Sequence, residues 1–247
     1  MKILFYGFRH NHIRALYKKA AADPRFEIVG CVEPNTSARE AAAAALGAVF
    51  SDRTYAEWLS TDIDAVAIGC PYGERGAAVI AALRAGKHVI CEKPMALSAA
   101  DAERMVQAAE KNARILTIGH QSRFSPAAQH LHELCASGAL GTIYYVRSEL
   151  RRRGVPTWGH FLNKERQGGG CLIDLGTHAI DLALWMLGDF SPVWVMGSTY
   201  QGLVDQPTEA NRWGAWKTDH YEVEDAAFGT VRLASGATLE IASSFAL

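Results

Sequence analysis

The sequence lacks any C-x-x-C pair: its five cysteines, Cys31, Cys70, Cys91, Cys135 and Cys171, are scattered along 247 residues. An odd number without metal-ligand spacing suggests reduced thiols in a cytoplasmic protein. Several of them sit in apolar runs, where cysteine behaves as a small core residue. H-E-x-x-H is absent too, and the nine histidines show no Cys/His clustering, so no metal is expected. There is no charge excess: 25 basic and 26 acidic residues leave a net charge of −1. That balance excludes electrostatic capture of nucleic acid or an anionic membrane as the basis of function. The one basic run, Arg151-Arg152-Arg153, is short and reads as a solvated strand end or a local anion contact. The opening MKILFYGFRH is too short in apolar residues for a signal peptide or a membrane span. It reads as a first buried strand. Internal repeats and low-complexity linkers are likewise missing.

What is present is the composition of a globular protein, 49% hydrophobic and 21% charged. The first half alternates strands (2–6, 27–32, 64–69, 88–91, 114–118) with helices (13–22, 37–46, near 75–85, 98–112). Continuous apolar strands separated by helices imply a parallel sheet covered on both faces. After about residue 120 the period changes. Helices at 126–137 and 171–187 are interleaved with strands at 142–151, 193–200, 223–233 and 237–245. The expected class is therefore α/β: an N-terminal parallel-sheet domain of Rossmann type over 1–120, then an α+β domain over 121–247 with a largely antiparallel open sheet. Residues 237–247 read as a strand that simply stops, as a sheet protein can end, or as a truncation missing its last strands would.

A doubly wound sheet binds a dinucleotide where the first strand turns into its helix, because backbone amides and the helix N-terminus favour anions there. Of the usual G-x-G-x-x-G only the first glycine stands, in Gly7-Phe8-Arg9-His10-Asn11-His12. The chain then approaches phosphates less closely, and Arg9 could substitute by charge. Gly7, Phe8, Arg9, His10 and Asn11 are the expected pyrophosphate contacts. Glu33 follows the second strand, where an acid accepts hydrogen bonds from the adenosine ribose and repels a 2′-phosphate, favouring NAD over NADP; a solvated strand-end acid is the alternative. Cys70 and Pro71, in the turn after the third strand, line the same edge.

The most specific stretch is AGKHVICEKP, which delivers Glu92, Lys93 and Pro94 to the carboxyl edge of the sheet. The proline fixes the exit direction, in either a trans or a cis bond. The second is GGGCLIDLGTHAIDLALWMLG. Asp174 and His178 are four apart and project from one helix face, with Asp181 within reach of that side. Leu172, Leu175, Ala179, Leu182, Trp185 and Met186 make an apolar face that should pack inward. Asp and His on a buried helix are costly unless paired or functional; an Asp–His pair filling a polar hole in the core is the blander reading.

These stretches, together with GHQSRFSP, resemble the Gfo/Idh/MocA oxidoreductases over nearly the whole chain. The resemblance implies a Rossmann domain followed by an open α/β domain whose sheet mediates assembly into a homo-oligomer, a dimer or tetramer. It places the family lysine on Lys93 and the D-x-x-x-H pair on Asp174 and His178. His178 would accept or donate the proton of a substrate hydroxyl. Lys93 would hydrogen-bond that hydroxyl and relay the proton, and Asp174 would orient substrate or base. The implied reaction is hydride transfer between NAD and a secondary hydroxyl of a sugar, cyclitol or related polyol. Histidine suits the base, since it exchanges protons near neutrality, while the cofactor carries the hydride chemistry. Trp158 and His160 in the 154–167 loop, with the 203–221 loop, are the candidate walls of a substrate pocket. The chain departs from the family after the third strand, where T-P-N-x-x-H is replaced by Cys70-Pro71-Tyr72-Gly73-Glu74-Arg75. Two other classes fit the motifs: an NAD-dependent glycosidase working by transient oxidation, and a non-catalytic nucleotide-binding regulator. Against the second, a binding-only descendant has no reason to keep Lys93, Asp174 and His178 together.

Overall fold

The computed structural model describes residues 1–246, in two compact units, Met1–Gly119 and His120 onwards.

The first unit is a five-stranded parallel sheet in the order β2-β1-β3-β4-β5, from β1 (Lys2–Tyr6), β2 (Glu27–Val32), β3 (Ala65–Ile68), β4 (His88–Cys91) and β5 (Leu116–Ile118). The helices are α1 (Asn11–Ala22), α2 (Thr36–Leu46), α3 (Tyr55–Leu59), α4 (Tyr72–Arg84) and α5 (Ala99–Lys111). Alternate strand residues feed opposite faces. Leu4, Val66, Ile68 and Val89 pack with Val79 and Leu83 of α4 and Met105 of α5, whereas Ile3, Phe5, Ala65 and Ala67 pack with Ile13 of α1 and Ala42 of α2. Leu83 and Met105 are wholly buried, and each such side chain stabilises the fold by about 1.5–3 kcal/mol. The short α3 lies outside the pattern read from the sequence. A capping box starts it, with Thr54 accepting from the Glu57 N–H and Glu57 accepting from the Thr54 N–H.

The second unit has a four-stranded sheet in the order β6-β9-β8-β7, from β6 (Tyr145–Arg151), β7 (Pro192–Tyr200), β8 (Ala226–Leu233) and β9 (Thr238–Ser244). The sheet is mixed: β7–β8 and β8–β9 are antiparallel, while β6 pairs with β9 in parallel. Strand β8 starts three residues later than the sequence pattern implies: just before it, Glu224 is tied to the loop around Gly170, its carbonyl accepting the Cys171 N–H at 3.1 Å. The helices are α6 (Pro126–Ala136), α7 (Lys164–Gln167) and α8 (Thr177–Leu187). The single helix expected over 171–187 is two pieces, a π-helical turn over Leu172–Gly176 running into α8.

Of the expected inward face, Leu172, Leu175 and Ala179 do pack inward, while Leu182, Trp185 and Met186 give way to other residues of α8. Ala183 is buried and Ile180, Leu184 and Leu187 pack on Val231, Leu233, Leu239 and Ile241. Trp185 points elsewhere, stacking on His132 of α6 with ring centroids 3.9 Å apart. By length and composition Lys164–Leu187 is apolar enough to cross a membrane, with a mean hydropathy of 1.3. The turn at Gly168–Gly170 interrupts it, and its apolar side lies on the sheet. Strand β7 is exposed along its whole length.

Candidate active site

In the first unit, two turns at the carboxyl edge of the sheet carry the candidate nucleotide contacts. The turn after β1 requires Gly7. Its φ is +83°, and an added Cβ would lie 2.4 Å from the backbone nitrogen of Cys70. Glu33, read from the sequence as a ribose acceptor or a solvated acid, is buried. One carboxylate oxygen accepts the Phe8 N–H at 2.6 Å and the other accepts the Asn35 N–H at 2.9 Å. Arg9, expected to face phosphate, has its Nε 3.5 Å from Glu33. A buried carboxylate needs such donors, so Glu33 braces the eroded glycine turn. His10 caps α1, its Nδ1 accepting the His12 N–H at 3.2 Å, and Asn11 begins the helix.

The turn after β4 holds Glu92, Lys93 and Pro94, all buried, with a cis Lys93–Pro94 bond. Its brace went unread in the sequence. Arg75, 2% exposed, donates to the carbonyls of Glu92 (3.1 Å), Pro94 (2.6 Å) and Cys70 (3.0 Å). Its guanidinium sits 4.4 Å from the centroid of the Tyr72 ring. A cation in the first turn of α4 opposes the helix dipole, so three carbonyls on one planar fork are what hold it there. The signal was available: Arg75 occupies the last position of a motif of which the chain keeps only the proline, Pro71. Burial pushes the thiol of Cys70 up to about 12 and that of Cys91 up to about 11. Both stay neutral, as small apolar residues should. The histidines do cluster after all: His10, His12 and Glu92 present ligand atoms within 4.8 Å of one another.

In the second unit, Gly170 must be glycine because a Cβ would lie 1.9 Å from the carbonyl oxygen of Glu224. The Glu224 carboxylate accepts the N–H groups of Gly170 (2.8 Å) and Leu172 (3.0 Å), satisfying the start of the π turn. Asp174 lies in that turn and is buried, while His178 is half-buried in the first turn of α8. The pair therefore spans a change of helix type, so the α-helical spacing argument does not apply to it as stated. Arg152 donates to Asp174 at 3.0 Å and packs over Trp213 and Phe245. The middle residue of the basic run is thus a local anion contact. Asp181 is taken by Arg123, whose Nε donates at 2.7 Å, with His120 at 3.7 Å. The rings of His120 and His178 stand 6.5 Å apart, nearly perpendicular.

Trp158 lies elsewhere in the same unit. With His160, Phe161, Arg166, Trp216 and Lys217 it lines a cavity of about 560 Å³ on which Asp174 and His178 do not border.

Residues 2–120 match a family model described as "Oxidoreductase family, NAD-binding Rossmann fold", and residues 128–247 match one described as "GFO/IDH/MocA C-terminal domain". D-glucoside 3-dehydrogenase of Escherichia coli (strain K12) is 37% identical over 90% of this chain and 63% of its own length. The crystal structure of GenD2 from gentamicin A biosynthesis, in complex with NAD, superposes with a TM-score of 0.83 at 27% identity, covering 100% of this chain and 66% of that one. The aldose-aldose oxidoreductase from Caulobacter crescentus, complexed with glycerol, gives 0.84 at 26%, covering 100% and 71%. The chain spans about three-fifths of the length of the curated relatives it matches.

Proposed function

The chain belongs to the Gfo/Idh/MocA family of oxidoreductases, and from that premise we propose that it transfers hydride between NAD and a secondary hydroxyl of a sugar or related polyol. The observation that carries the reading is Lys93 buried and held at the β4 turn, in a chain 37% identical to a D-glucoside 3-dehydrogenase. The first unit suits a dinucleotide, because the glycine turn after β1 is intact at Gly7 and opens directly into the N-terminus of α1. Gly7, Phe8, Arg9, His10 and Asn11 would hold its phosphates, Cys70 and Pro71 would flank them, and Glu92, Lys93 and Pro94 would border the reacting end. Glu33 beside this turn disfavours a 2′-phosphate, which supports NAD over NADP. When bound, NAD supplies the hydride acceptor.

The protein residues handle the proton. His178 takes it from the substrate hydroxyl, or returns it in the reverse direction. Lys93 donates a hydrogen bond to that oxygen. Asp174, its charge met by Arg152, keeps a fixed orientation toward substrate or base. Trp158, on a cavity that Asp174 and His178 do not border, would offer its ring face to a part of the substrate away from the reacting hydroxyl. The same reading includes a homo-oligomer assembled through the exposed sheet, where Trp194, Met196, Tyr200 and Phe228 are uncovered. Light scattering tests it, and a monomer at micromolar concentration would refute it.

The test of function is absorbance at the nicotinamide band with NAD and a panel of methyl glycosides and cyclitols. Turnover with one of them, lost by about 10²–10⁴-fold in His178→Asn, is the expected result. No reduction with any of the panel would refute the substrate class.

A further inference from the structure

We propose that His10, His12 and Glu92 form a binding site for one divalent transition-metal ion of the zinc class. The three come from two different strand ends, 80 residues apart between His12 and Glu92, and their ligand atoms lie within 4.8 Å of one another. Nδ1 of His12 is 3.3 Å from Oε2 of Glu92. Two ligands at about 2.0–2.2 Å from a tetrahedral zinc stand about 3.4 Å from each other, so this edge of the shell already has its length. The imidazole rings of His10 and His12 are 4.3 Å apart at 79°, which lets both present nitrogen to one point without stacking.

The carboxylate is the fixed member. The Glu92 side chain is 7% exposed, its backbone N–H donates to Ile68 at 2.9 Å, and its carbonyl is held by Arg75. The histidines are half-buried, which leaves a solvent route and an open fourth position. Two nitrogens and one carboxylate, without thiolate, select zinc, cobalt or nickel over calcium and magnesium, which demand oxygen shells. Binding replaces the 3.2 Å cap that Nδ1 of His10 accepts from the His12 N–H. The positive end of α1 works against a cation there, and the buried negative charge of Glu92 offsets it. The site shares His10 and Glu92 with the proposed dinucleotide contacts, so it is tested without NAD, and it does not depend on the substrate or on the catalytic roles.

The test is a Co²⁺ titration of the whole chain after chelator dialysis, followed by visible d–d absorption. The expected result is a band of four-coordinate intensity that saturates at one equivalent and is displaced by Zn²⁺. His10→Gln, His12→Gln and Glu92→Gln should each weaken binding by more than the about 10–100-fold that losing an outer partner costs. His130→Gln, whose side chain is 74% exposed on α6, should leave it unchanged. Far-UV circular dichroism identifies any variant that fails to fold, and the other two then decide. A missing saturable band, or Co²⁺ affinity that survives the substitutions in folded protein, overturns the proposal.

Discussion

The two turns at the carboxyl edge of the parallel sheet are braced by opposite charges. After β1, buried Glu33 accepts backbone N–H groups from Phe8 and Asn35. After β4, buried Arg75 donates to the carbonyls of Cys70, Glu92 and Pro94. The first turn has lost most of its glycine motif and the second has kept its own, yet both are tied by a charged side chain from a neighbouring segment. The difference teaches that a turn can outlast its sequence motif when a side chain supplies the hydrogen bonds that fix it.

The largest effect on this pair of turns should come from Gly7→Ala. Its Cβ meets the Cys70 backbone at 2.4 Å with φ at +83°, so neither wall can yield cheaply. The expected loss in denaturant unfolding is more than about 4 kcal/mol. Arg75→Met comes next. It leaves three carbonyls without their donor and should cost about 3 kcal/mol, with Arg75→Lys recovering only part because an ammonium lacks the planar fork. Glu33→Gln keeps one acceptor oxygen, so one N–H loses its partner and stability falls by about 1–3 kcal/mol. If Glu33→Gln proved costlier than Arg75→Met, the ranking of the two braces would be reversed.

How far these braces were readable in advance depended on the signal each residue leaves. The parallel sheet was legible because strands buried on both faces are continuous apolar runs, and Lys93, Asp174 and His178 were legible as motif residues. The role of Glu33 was not, since position alone cannot say whether a strand-end acid faces water, a ribose or an amide. Arg75 and Arg152 were missed as partners because their acceptors, the Glu92 carbonyl and Asp174, lie 17 and 22 positions away. The π turn at Leu172–Gly176 escaped because periodicity cannot detect one extra residue in a helical turn; its anchor, Glu224, lies 52 residues from Leu172. The parallel pairing of β6 and β9 escaped too, since alternation along a strand carries no information about direction.

The most gradual effect is alkaline. Burial raises the thiols of Cys31, Cys70 and Cys171 from 9.0 to about 12, and that of Cys91 to about 11. Between those limits the unfolded chain has released protons that the folded chain still holds, so stability is intact below pH 9 and falls as pH rises toward about 12. Chemical denaturation at stepped pH should show that decline, and a flat profile across the window would contradict burial of these thiols.

The central claim, hydride transfer supported by Lys93 and His178, is tested most directly by NADH formation with a methyl glucoside in the wild type, Lys93→Met and His178→Asn. The account predicts turnover in the wild type and a loss of about 10²–10⁴-fold in each folded variant. Wild-type rates retained in both variants would contradict it.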